Sequence, residues 1–92
     1  MTAIAIKTRE EIRVSPSAGR ASGEELFDLG VAYSTGQGVP LNLIEAHKWF
    51  NLAALKGNMP AREWRTSVAR EMTADQIAEA QRQARAWLSA AH

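Results

Sequence analysis

The chain is 92 residues long and 46% hydrophobic, with 11 Lys and Arg against 10 Asp and Glu, for a formal net charge of +1. That balance fits one small globular domain and argues against a disordered tail, a nucleic-acid binder with a concentrated basic face, or a bilayer-spanning chain, since no apolar run approaches ~20 residues. Cysteine is absent, which excludes disulfides and thiolate metal sites, and with only His47 and His92 available a zinc or haem site would fall almost wholly to carboxylates.

Residues 1–22 differ in character from the rest. The stretch MTAIAIKTREEIRV meets charges at Lys7, Arg9, Glu10 and Glu11 before an apolar core of signal-peptide length can form. A cytoplasmic protein is therefore expected. Ile4, Ile6, Ile12 and Val14 alternate weakly, as a short strand would, and the following SPSAGRASG has the composition of a flexible linker. The sequence predicts a flexible arm over 1–22, with ordering against a partner or a second copy as the alternative.

A helical domain is expected over 23–92. Ser22 is a good N-cap for a first helix, with Glu24 and Glu25 in the first turn, where the helix dipole favours carboxylates. Leu26, Leu29, Gly30 and Tyr33 recur at helical spacing and define its buried stripe. Gly30 inside that stripe gives up ~1 kcal/mol of helix propensity relative to Ala, a cost accepted where another backbone must come close. Gly36 and Gly38 end the helix, and Pro40 keeps it from resuming.

A second helix is predicted from about Asn42 to Gly57. Leu43, Ala46, Trp49, Phe50, Ala53, Ala54 and Gly57 trace one face, with small residues between bulky ones as interdigitated helices require. Pro60 opens a third helix carrying Ala61, Trp64, Val68 and Met72 on one side. Thr73 with Gln76 forms a capping-box pair that starts a fourth, striped by Ile77, Ala80, Ala84, Trp87 and Leu88. The fold class is all-α, about four helices with short connections and antiparallel neighbours.

From Leu29 onward the spacing resembles the Sel-one-like repeat, a tetratricopeptide-related αα-hairpin. The positions that carry it are Leu29-Gly30, Tyr33, Gly36-Gln37-Gly38-Val39, Asn42, Ala46, Trp49-Phe50, Ala53-Ala54, Gly57 and Ala61. Asn42 stands where the family has an acidic residue, and Glu25 where a small residue would pack on a preceding repeat. Arg65-Thr66 replaces the second unit's Leu-Gly, and no second Gly-x-Gly loop follows. The resemblance implies one full repeat, a partial second and a C-terminal capping helix whose segment from Arg70 resembles bacterial members. It implies a short helical solenoid that binds another protein across its inner curve. About three repeats normally make a stable array, so the last helix or self-association must compensate.

On that plan the first and third helices line the inner curve, and their off-stripe residues Phe27, Asp28, Val31, Arg62, Arg65 and Ala69 are the candidate partner-binding set. Phe27 and Val31, one turn apart and apolar, mark a contact site or a seat for the N-terminal arm. Trp49 and Trp64 are expected as core anchors, Trp87 as a core or exposed residue on the last helix. His47, between Glu45 and Lys48, is expected on the outward face of the second helix, solvated.

No catalytic residue is assigned. The pairs Glu10-Glu11 and Glu24-Glu25 are adjacent rather than on one face, and Gly36 and Gly38 precede Val-Pro instead of the Lys-Ser/Thr of a phosphate loop. No cofactor is expected. A nucleic-acid-associated regulator using Arg9, Arg13, Arg20, Arg82 and Arg85 is the competing reading, diluted by interleaved Glu63, Glu71, Asp75 and Glu79. End-to-end stacking of a second copy is the third.

Overall fold

A computed structural model describes residues 21–90, and these residues form four helices and no strand. Helix α1 spans Gly23–Thr35, α2 Leu43–Leu55, α3 Pro60–Ala69 and α4 Ala74–Ser89. The strand considered for Ile4–Val14, the arm arginines and His92 lie outside the described residues.

Each boundary has a local chemical cause. Ser22 accepts the Glu25 N–H at 3.0 Å, while the Glu25 carboxylate accepts the Ser22 N–H at 2.9 Å. This reciprocal capping box satisfies two of the orphan donors at the start of α1. Sequence reading recognised the cap and the acidic turn but not the reciprocity. Thr73 and Gln76 form the same arrangement at the start of α4, as their spacing predicts, at 2.8 and 3.1 Å. Asn42 caps α2 through the Glu45 N–H at 3.1 Å.

Between α2 and α3 one asparagine serves both helices. Its N–H donates to Ala53 O at 3.0 Å and Gly57 N–H donates to Ala54 O, the paired bonds of a Schellman closure. Gly57 holds φ 92°, a left-handed conformation in which a side chain would be strained. The Asn58 side chain then accepts the Ala61 N–H at 3.1 Å and so caps α3. Two helices are hinged on one residue.

α2 is the hub. α1, α3 and α4 each pack against it, whereas the outer three touch one another less. This explains why its buried arc is wider than one stripe: Ala46, Trp49, Phe50 and Ala53 are buried as expected, and His47 and Leu52 join them. Phe50 is fully buried, against Gly30 of α1. A Cβ built on Gly30 would lie 2.4 Å from both Cδ1 and Cε1 of that ring. The cost accepted at Gly30 is thus explained by an aromatic ring rather than by a backbone. Val39 in the α1–α2 loop and Ala21 ahead of the first cap are also buried in the core.

Two tryptophans cross at the far side of the hub. Trp49 and Trp87 meet edge to face with centroids 5.5 Å apart, which ties α4 to α2. The buried Trp49 indole donates to Glu45 Oε1 at 3.0 Å, and Lys48 both pairs with that carboxylate at 2.9 Å and lies 4.4 Å over the ring. Ala80 and Ala84 are buried on α4, Ile77 and Trp87 partly so, while Leu88 at the end of the predicted stripe is exposed.

Candidate interaction face

Two expectations about single side chains are corrected. Trp64 is not a buried anchor: it is 43% exposed, although its stripe-mates Ala61 and Val68 are buried. It lies at the edge of that stripe and leans toward α1, where Phe27 receives it edge to face at 5.4 Å. His47 is not solvated: it is 4% exposed, because α2 is packed on more than one side.

Phe27, Trp64 and Phe50 form a continuous aromatic step from surface to core. Phe27 lies 5.5 Å from Phe50, and Trp64 lies 5.8 Å from Phe50, both tilted. Offset and edge-to-face pairs of this kind are worth ~0.5–1.5 kcal/mol each beyond the area they bury. Phe27 and Val31 are therefore half-buried and packed on the core rather than standing free. What reaches solvent is an aromatic shelf between α1 and α3, held from below by Phe50.

The arginines of the candidate set lie elsewhere. Arg62 precedes Trp64 by two residues, roughly 200° around a helix of 3.6 residues per turn. Arg65 donates to Asn51 Oδ1 at 2.6 Å, closing the seam between α3 and α2. Phe27 and Trp64 thus meet between α1 and α3, Val31 packs on the core one turn further along α1, and Arg65 reaches α2 instead. Asp28 is exposed on α1, which carries Glu24, Glu25 and Asp28 and neither Lys nor Arg.

Charge at the seam is set by burial. His47 has its pKa pushed below the ordinary histidine value by desolvation first and by the Arg65 cation second. Its Nδ1 is buried and has no hydrogen-bond partner. On the other side of α2, the Tyr33 phenol is raised by burial and then by the Glu45 carboxylate. Sequence reasoning missed Asn51 and misplaced His47. Their i, i+4 spacing at the border of the α2 stripe was the available signal.

Among the described residues, no group of three His, Cys, Asp or Glu is placed to hold a metal ion. No described helix is long and apolar enough to cross a membrane. A shallow depression on α3, lined by Arg62, Glu63, Thr66, Ser67 and Arg70, mixes both charges and lies on the helix's outer side. The shelf sets an exposed indole on a floor of packed rings. No known family model, curated protein or solved structure matches the chain.

Proposed function

We propose that the chain is a non-catalytic protein-interaction module, an adaptor or regulator in a bacterial cytoplasm, built as a short Sel-one-like solenoid whose α1–α3 face takes a partner protein. The observation that carries the reading is Trp64, an indole left 43% exposed on a floor of Phe27 and Phe50. Tryptophan is enriched among the residues that dominate binding energy, and a side chain already fixed by packing loses little entropy on association. The partner offers an apolar side chain to the shelf. Glu24 on the α1 wall favours a cationic group beside that anchor.

Affinity capture from lysate tests this, comparing the wild type with Trp64→Ala and with or without nuclease. A protein retained after nuclease and lost with Trp64→Ala supports the reading, provided the variant's helical content matches wild type. Capture that disappears with nuclease, and weakens steeply with salt, favours the nucleic-acid regulator instead. Recovery of the bait alone, with melting that depends on concentration, favours self-assembly.

A further inference from the structure

The shelf leaves one group unexplained. His47 is 4% exposed, and its Nδ1 has no partner. One turn further along α2, Asn51 accepts from Arg65 of α3 at 2.6 Å. The two α2 residues are one turn apart, so the His47 ring lies on the flank of α2 from which Asn51 reaches α3.

The neutral ring tolerates this site when Nδ1 carries the lone pair, since an unused acceptor costs less than an unused donor. Protonation reverses that. The new N–H at Nδ1 would be a buried donor with no acceptor, and its charge would face the Arg65 cation. Two nearby carboxylates already have partners. Glu45 is engaged by Lys48 and the Trp49 indole, and Glu79 of α4 by Arg82 and Gln83. Of the described charged groups on α1 (Glu24, Glu25, Asp28), α2 (Glu45, Lys48), α3 (Arg62, Glu63, Arg65), α4 (Asp75, Glu79, Arg82, Arg85) and the turns between them (Lys56, Arg70, Glu71), Arg65 is the one whose charge opposes protonation of the ring.

We propose that the α2–α3 seam is an acid-sensitive latch, in which a proton taken up by His47 releases α3 from α2 and so takes apart the shelf that α3 shares with α1. α3 is the helix suited to yield. It is ten residues long, its buried side chains are Ala61 and Val68, and it has no side-chain N-cap of its own beyond Asn58. The sign follows from a ring that is harder to protonate folded than unfolded. The seam is intact above the unfolded value near ~6.5 and weakens as pH falls below it.

Amide hydrogen exchange on the full chain between pH 7.5 and 5.5, corrected for intrinsic exchange rates, tests the latch. Protection of Arg62–Ala69 should fall relative to α1, by up to about tenfold per pH unit, the limit for one linked proton. His47→Gln should remove that fall. Equal protection of α3 at both pH values, or an undiminished fall in His47→Gln, overturns the proposal. Should His47→Gln fail to fold, an NMR titration of the wild-type imidazole decides: a midpoint below ~6.5 supports the latch, and one at or above it overturns the latch. This readout involves no partner, so the latch and the binding face stand or fall separately.

Discussion

Replacing Gly30 by alanine sets two known effects against each other at one atom. In an open helical site the added methyl would stabilise by ~1 kcal/mol through helix propensity. Here it would sit 2.4 Å from two carbons of the Phe50 ring, more than an ångström inside the ~3.5–4.0 Å separation at which carbons attract. Phe50 is fully buried and braced by Phe27 and Trp64 at 5.5 and 5.8 Å, so it cannot swing away cheaply. Overpacking of this kind costs ~1–3 kcal/mol, so the net change should be a loss on the order of 1 kcal/mol. Against a reserve of ~3–5 kcal/mol for a domain this size, that is a substantial fraction. Urea denaturation followed by circular dichroism reads it directly, and the Tm should drop by about 4–8 °C per kcal/mol lost. In a Phe50→Leu background the smaller side chain makes room, and Gly30→Ala should become neutral or stabilising, a coupling of ~0.5–3 kcal/mol. An increase in stability of ~1 kcal/mol from Gly30→Ala alone would refute the reasoning, because it would mean the ring has space.

Other side chains give sharper or broader readouts. Thr73→Ala removes half of the α4 capping box and should cost ~1 kcal/mol, with faster amide exchange confined to the first turn of α4. Trp87→Ala loses the crossing on Trp49 and should release α4 while leaving α1 and α2 paired, visible as lost near-ultraviolet dichroism with most helicity retained. Phe27→Ala should destabilise by ~3–5 kcal/mol at most, less for a half-buried ring, and equilibrium denaturation would show no change only if the aromatic step were not continuous. Asn51→Ala strips the acceptor from Arg65 and should cost ~1.5–3 kcal/mol at a charge-assisted bond, again read by denaturation.

The four helices were legible because their ends carry local chemistry. Ser22, Asn42, Pro60 and Thr73 each announce a start through side chains that act within three residues, and such signals survive any tertiary arrangement. The centres of the α1 and α4 stripes, Leu26, Leu29, Gly30, Ala80 and Ala84, were legible for the related reason that each helix packs mainly on one neighbour, while Tyr33 is half-buried and Leu88 exposed at the stripe ends. What failed was burial on the hub. Periodicity reports one face, and α2 is enclosed by three helices, so His47 and Leu52 are covered by partners that no local pattern on α2 specifies. Trp64 failed in the opposite direction. Its spacing with Ala61 and Val68 is correct, but α3 is short and lies at the edge, where one side of the stripe overhangs the core.

The candidate site was legible only in part for the same geometric reason. Phe27 and Val31 were recognisable as apolar residues beside the α1 stripe; both pack on the core, and Phe27 also meets Trp64. Assigning Arg62 and Arg65 to that face required knowing which flank of α3 turns toward α1. The Arg65–Asn51 bond turns Arg65 toward α2.

The most direct test of the binding face is site-specific photo-crosslinking in the native cells, with a photoreactive side chain placed at Glu24 beside the shelf or at Arg82 on α4. The account predicts one protein adduct from position 24, competed away by excess wild-type chain but not by Trp64→Ala, and none of that adduct from position 82. The same adduct from both positions, or one that Trp64→Ala competes as well as wild type, would contradict it.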